Sequence, residues 1–365
     1  MRVLRHVPRH VDGSAPAGRA LTIGNFDGVH RGHQAMLALL INEARHRGVI
    51  ASVLTFEPHP RDFFANRAGR PEQAPARIAT LRDKLWELER CGVDEVIVAR
   101  FDERFAAQPP SQFIDEVLVR GLAARYVLVG DDFRFGARRA GDYAMLDAAG
   151  DAQGFDVARM MSYEVHGTRV SSSAVRDTLR RGDMEAAARL LGRPYSISGR
   201  VQHGRKLGRQ LGESAPGQAD GLRTLNLRFG HPSPAANGIF VVAVHGLADA
   251  PLPGVASLGV RPTVEEAGRV LLEVHVLQWP PALGPEGGYG RLVRVELLHK
   301  LRDEARYDGL DALTAAIRRD VDDARAYFEV VRVEAARVGA GRGSTDPAAA
   351  GFASQLRQTT RDRII

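Results

Sequence analysis

The chain has 365 residues, of which 44% are hydrophobic, 26% charged and 6% aromatic, with a formal net charge of +6. Single domains mostly run to roughly 100–200 residues, so two cores are expected, and a wholly disordered or low-complexity chain is excluded. Six basic against three acidic residues from Val331 onward carry half of the net charge, which leaves the rest nearly neutral, suited to small phosphorylated ligands and not to nucleic acid.

The first segment, Met1–Arg19, carries His6, Arg9, His10 and Asp12 where a secretion signal has an apolar core. No run approaches the about 18 apolar residues of a membrane span. The single cysteine, Cys91, offers neither an internal disulfide nor zinc spacing. A cytoplasmic protein without membrane contact is the expectation.

Short apolar runs rich in β-formers then recur at Ala20–Ile23, Val49–Thr55, Val93–Ala99, Tyr126–Gly130 and Phe155–Met160. Between them, His33–Arg45 (Leu37, Leu40, Ile41 and Ala44 on one side) and Ala76–Cys91 (Ile78, Leu81, Leu85 and Leu88) have helical spacing and end at Gly48 and Gly92. The alternation predicts βαβ units around a parallel sheet, with ligands bound in the loops after Ile23, Thr55 and Gly130.

The first of those loops reads Gly24-Asn25-Phe26-Asp27-Gly28-Val29-His30-Arg31-Gly32-His33. Glycines let backbone approach a ligand, and a helix N-terminus presents N–H groups and partial positive charge to an anion. Two imidazoles three residues apart at that terminus can both reach a triphosphate and stabilise charge at its α-phosphorus. Further on, Arg169 offers a guanidinium fork, and Ser171, Ser172 and Ser173 precede a predicted helix, Ala174–Arg181, as a second anion site or as simple caps.

After about Gly192 the rhythm changes to β-rich segments divided by Gly and Pro: Tyr195–Gln202, Thr224–Phe229, Gly238–His245, Val270–Gln278 and Arg291–Leu298. These predict a small antiparallel barrel. A helix at Leu310–Phe328 is expected to cross it through Leu310, Leu313, Ile317, Val321 and Ala324. The Gly-rich tail from Ala335 reads as mobile. No Gly-x-x-x-x-Gly-Lys-Ser/Thr run occurs, so phosphoryl transfer here needs another phosphate loop. The glycine-spaced, basic stretch holding Gly204, Lys206 and Gly208 is either such a flap or a solvated hairpin. Glu273, between Leu272 and Val274, is either a general base or an outward strand carboxylate.

The Gly-Asn-Phe-Asp-Gly-Val-His-Arg-Gly-His run resembles the His-x-Gly-His nucleotidylyltransferases, and in its full form the bacterial riboflavin kinase and FMN adenylyltransferase (FAD synthetase) family. Thr55–Pro60, Val129–Gly136 and Arg169–Arg176 are similar to that family's motifs in the same order, and Gly199–Gly212, Gly254–Thr263 and Leu272–His275 are similar to its kinase module. The resemblance implies a Rossmann-like adenylyltransferase domain over 1–190 and a kinase barrel over 191–330; the basic tail over 331–365 lies outside it and is expected to be mobile from its composition. It implies that His30, His33, Arg169, Ser172 and Ser173 hold ATP phosphates, with Gly24, Phe26, Asp27 and Gly28 in the nucleotide loop. Asp132, Phe135 and Pro58 would line the nucleotide and flavin pockets, and Thr224 and Asn226 would bind Mg²⁺. ATP, riboflavin and FMN would be the ligands.

One departure stands out. The family continues from its Gly-Arg-x-Leu-Gly run straight into Phe-Pro-Thr-x-Asn, whereas this chain interposes Glu213–Arg223 and lacks the Phe-Pro. Extra loop length costs little closure entropy, but it bears on where Thr224 and Asn226 point. A monofunctional FMN adenylyltransferase with a disabled barrel is therefore the alternative.

Overall fold

The computed structural model describes residues 1–8, 17–165, 167–203, 224–230, 233–260, 270–284 and 286–340. It divides into two compact units, Met1–Leu179 with Ala186–Arg193, and Arg180–Glu185 with Pro194–Ile365. Among the described residues no helix is long and apolar enough to cross a membrane.

The first unit is built on six parallel strands: β1 (Arg2–Leu4), β2 (Arg19–Ile23), β3 (Ile50–Glu57), β4 (Glu95–Arg100), β5 (Ala124–Gly130) and β6 (Asp156–Met160), in the order β1-β4-β3-β2-β5-β6. All five residues of β2 are buried, as a strand covered on both faces requires. The order reverses between β2 and β5, the place where such sheets leave a crevice for ligands, and the loops after Ile23 and Gly130 meet there. Only β1, three residues long, escapes the sequence pattern.

Helix α1 (Arg31–Arg47) starts at the His30 cap, buries Leu37, Leu40, Ile41 and Ala44, and ends on Gly48 at φ 65°, a left-handed cap. Between β3 and β4 lie α2 (Pro60–Arg67) and α3 (Leu81–Arg90). The helix expected from Ala76 thus begins five residues late. The amides of Ile78 and Ala79 are drawn off by the Asp27 carboxylate (3.2 and 3.1 Å), so that turn cannot propagate upstream. The short turns α4 (Glu103–Ala106) and α5 (Pro110–Gln112), a π-helical segment at Phe113–Gly121, and α6 (Tyr143–Gln153) complete the covering layers. A two-residue ladder, β7 (Glu164–Val165) with β8 (Thr168–Arg169), leads into α7 (Ser172–Arg181), and α8 (Met184–Leu191) follows.

At the opposite end of the sheet Arg19 bridges to Glu95 at 2.6 Å and donates to the Leu122 carbonyl at 3.0 Å, with both side chains buried. Removing one partner strands the other charge. Glu95→Ala should therefore cost about 3 kcal/mol, read as a lower denaturant midpoint; a loss below roughly 1 kcal/mol would mean water reaches Arg19.

The second unit holds β9 (Tyr195–Arg200), β10 (Thr224–Arg228), β11 (Gly238–His245), β12 (Leu252–Val260), β13 (Val270–Val276) and β14 (Leu292–Arg302), antiparallel in the order β10-β13-β12-β11-β14-β9. The two edges of the sheet approach where the Gln202 amide, just past β9, donates to the Asn226 carbonyl at 2.8 Å, so the sheet curls into a half-barrel. Strand β12 was not legible, because Pro253, Gly254 and Gly259 read as turn. In the structure Gly254 is required for close approach: a Cβ there would lie 2.8 Å from the His275 carbonyl.

Helix α9 (Leu310–Ala340) packs Val321 and Ala324 against Ile239, Val241 and Val255. Leu310, expected in that contact, is 67% exposed at the first turn. The helix also runs through Ala340, six residues into the tail read from Ala335, while 341–365 lie outside the described residues.

Candidate active sites

Between β2 and α1 the chain makes a turn that few residues tolerate. Phe26 and Val29 sit at φ 48° and 40° and Gly28 at 86°; for a β-branched valine this is strain that the surroundings must hold. They do so from distant parts of the unit. The Asp27 carboxylate accepts from Ile78 and Ala79 and pairs with Arg176 at 2.6 Å. Ser172 donates to the Asp27 carbonyl at 3.0 Å, Arg193 to that of Gly28 at 2.8 Å, and Gln34 to that of Val29 at 2.8 Å. Asp27 is 2% exposed and spent on these partners, so its carboxylate shapes the loop from behind.

What the loop presents is a pair of stacked imidazoles. His30 and His33 have ring centroids 3.7 Å apart at 14°, and His33 also lies 4.8 Å from the Phe26 ring. Gly32 permits this, since a Cβ there would meet the His30 ring and the Val170 carbonyl at 3.3–3.4 Å. His30 Nδ1 accepts the His33 amide at 3.3 Å, which leaves its Nε2 to carry the proton. His33 Nδ1 and Asn25 Oδ1 are buried without a hydrogen-bond partner. Buried polar atoms are normally satisfied, so two orphans in one loop mark a place where a ligand completes the bonding.

Burial pushes the His30 imidazole from 6.5 down to about 4, against the opposing pull of Asp27. Burial, then His30 and Lys84, holds His33 well below 6.5. His59, which caps α2 by accepting the Arg61 amide at 3.1 Å, is pushed down to about 4 by burial and then by Arg77. Both rings of the stacked pair are neutral at pH 7, each able to donate one N–H. A histidine with a depressed folded pKa is protonated more readily in the unfolded chain. Its stability contribution is complete above pH 6.5 and lost as pH falls toward 4. Tm should drop steadily across that window, and His59→Asn, which keeps a capping oxygen but does not titrate there, should flatten the slope; an unchanged slope would remove His59 from the account.

The remaining residues divide. Arg169 is exposed and leans on Asp131 and Asp132 at 3.5 and 3.9 Å, contacts weak enough for phosphate to replace. Ser171 caps the Ala174 amide, Ser172 ties α7 to the loop, and Ser173 is exposed. Phe135 is buried against Phe113, with Phe133 stacked on it and half exposed, so of these two rings Phe133 is the one a flavin can reach. Pro58 is exposed beside an aromatic cluster of Phe56, Phe63, Phe64, Phe101 and Phe105, with Phe64 49% exposed. The sequence reading missed that cluster with α2; Pro60 behind a capping His59, followed by Phe63-Phe64, was the available signal.

In the barrel, Thr224 and Asn226 lie on one face of β10 and pair directly with His275 and Glu273 of β13; Glu273 in turn pairs with Ser257 of β12. Leu272 and Val274 are buried and Glu273 faces the other way, beside Asn226. Asn226 is 5% exposed and its Oδ1 has no hydrogen-bond partner. His203 stacks on Tyr289 at 3.9 Å at the foot of the basic stretch, whose Gly204, Lys206 and Gly208 lie outside the described residues, as do 213–223.

A FAD synthetase family model matches residues 13–174 and a riboflavin kinase model residues 191–328. Over 334 residues the chain is 44% identical to the bifunctional riboflavin kinase/FMN adenylyltransferase of Escherichia coli (strain K12), covering 91% of this chain and 99% of that protein. It belongs to this family. The bifunctional riboflavin kinase/FMN adenylyltransferase of Pseudomonas fluorescens is also 44% identical, over 85% of this chain and 93% of that one. A Streptococcus pneumoniae crystal structure described as a macrolide-efflux protein shares the fold, with a TM-score of 0.70 at 24% identity over 89% of this chain and 99% of that one. Both catalytic modules of a bifunctional riboflavin kinase/FMN adenylyltransferase are thus present, and the stacked histidines and the Asn226–Glu273 pair fall one in each matched segment.

Proposed function

We propose that the two modules act on one flavin in succession. The C-terminal module, 191–330, moves the γ-phosphoryl group of ATP to riboflavin, giving FMN and ADP. The N-terminal module, 1–190, moves AMP from a second ATP to FMN, giving FAD and pyrophosphate. The segment 331–365 is outside both, the protein is cytoplasmic, and it does not use nucleic acid.

The observation that carries the first half is the neutral His30–His33 stack at the α1 N-terminus with two unsatisfied buried atoms beside it. In adenylyl transfer an FMN phosphate oxygen attacks the α-phosphorus and the bond to the β-phosphate oxygen breaks, so no covalent bond to the protein is needed. Charge grows on the phosphate oxygens. His30, His33 and the helix terminus stabilise it, while Arg169 leaves Asp131 and Asp132 to grip the polyphosphate with Ser173. Exposed Phe64 and the half-buried rings around it beside Pro58, with Phe133, support a flavin-stacking role there.

For the kinase half, the unpartnered Asn226 Oδ1 is a hard oxygen donor of the kind Mg²⁺ takes, and the face it shares with Thr224 fits that ion. Thr224 and Asn226 would hold it, and bound Mg²⁺ supplies charge neutralisation for the transferring phosphoryl group. Glu273, directly across from Asn226, takes the proton of the ribityl hydroxyl.

The insertion keeps the monofunctional reading in view, yet β10 holds full register with β13 from Thr224 to Arg228, which supports a competent strand. The test is to follow both flavins by chromatography with Mg²⁺ and ATP, starting from riboflavin and from FMN. FMN and FAD should both form. Replacing 213–223 with Phe-Pro should change the riboflavin kinase rate by less than roughly threefold; a gain of about tenfold or more favours the monofunctional reading.

A further inference from the structure

Beneath the adenylyl-transfer loop lies a lysine that no part of the mechanism above uses. Lys84, in the first turn of α3, is fully buried. Its Nζ reaches two acceptors, Thr55 Oγ1 and Glu57 Oε1, each at 3.3 Å. Glu57 is held in turn by Arg77 at 3.1 and 3.2 Å, and Arg77 lies 3.7 Å from the buried Asp62. Thr55 Oγ1 donates onward to the Asn25 carbonyl at 3.3 Å. A hydroxyl has one hydrogen, so Thr55 must accept from Lys84 in order to donate to Asn25. The chain Lys84, Thr55, Asn25 is therefore polarised in one direction, from the ammonium into the loop that bears both histidines.

Stability does not explain this arrangement. Burying an ammonium is costly, and replacing a buried ion pair as a whole with apolar side chains of similar volume is often neutral or stabilising, so the pair is weak evidence of a stabilising role. Burial pushes the Lys84 ammonium below its ordinary value, and Glu57 opposes that shift. The charged groups around it are Glu57, Arg77 and Asp27, and it is itself one of the charges that act on His33, after His30.

We propose that Lys84 is a positioning residue for adenylyl transfer: through Thr55 it fixes the Asn25 end of the nucleotide loop, and its charge stands behind His33 where the triphosphate arrives. The proposal rests on reading the Gly24–His33 turn as the triphosphate site. A displaced loop misaligns the histidines with the α-phosphorus, and small misplacements cost up to about 10²-fold in rate.

The experiment compares Lys84→Met and Thr55→Val with the parent in the full chain. It reads kcat/KM for FAD formation from FMN and ATP, Tm, riboflavin phosphorylation as a control, and the ¹⁵N-histidine titration of His33. Lys84→Met leaves Glu57 paired with Arg77, so it should lower kcat/KM roughly 10–100-fold with at most a small fall in Tm, and should move the His33 titration upward. Thr55→Val keeps the charge and breaks the relay, so it should lower kcat/KM by about tenfold without that titration shift. Parent-like kcat/KM in either folded variant overturns the proposal. So does a Lys84→Met loss that merely follows a lowered Tm while the His33 titration stays put. If Lys84→Met does not fold, Thr55→Val decides alone. A parent that makes no FAD from FMN would instead sink the reading of the site.

Discussion

His33→Ala should lower FAD formation from FMN by roughly 10²–10³-fold and leave FMN formation from riboflavin within about twofold. The size follows from what is lost. The imidazole is half-buried, oriented by its stack on His30 and by Phe26, and carries a buried, unsatisfied nitrogen. A preorganised donor in such surroundings contributes far more than the same donor in water. Because the ring is neutral, its removal takes away a hydrogen bond and not a resident charge, so the deficit should lie in kcat/KM with no loss of thermal stability. A loss under about fivefold would mean that the phosphates meet the helix terminus and Arg169 alone.

Glu273→Gln should cut FMN formation from riboflavin by roughly 10²–10⁴-fold while FAD formation from supplied FMN is preserved. Gln matches the shape of Glu and keeps an oxygen toward Asn226, but it cannot accept a proton at neutral pH. The variant therefore separates a general base from a strand residue that merely packs between Ser257 and Asn226. A rate within threefold of the parent would assign Glu273 to the strand and leave the hydroxyl proton to solvent. The pair of variants also forms a crossed control: each silences one module and spares the other.

The strand and helix pattern of the first unit was readable because its sheet is covered on both faces, so β2, β3 and β5 appear as short runs in which apolar residues predominate. The barrel was less legible. A central strand, β12, carries Pro253, Gly254, which lies close against β13, and Gly259, and these residues read as turn in a string. Helix α2 was hidden for a related reason, since its signal lies in a cap and a phenylalanine pair and not in a repeated stripe.

The histidine pair, the glycines around it, Arg169 and the Thr224–Asn226 face were all visible in the sequence, because a phosphate loop and two alternate strand positions are local patterns, complete within a few residues. Only the folded chain decided which side chains do which work. Asp27 turned out to be spent on Ile78, Ala79 and an Arg176 that lies 149 residues away. Glu273 meets Asn226 through strand register, and Lys84 meets Thr55 and Glu57 through burial. Whether a histidine is neutral, a carboxylate committed or an ammonium desolvated depends on what surrounds it in space, and those neighbours come from parts of the chain that no local pattern joins.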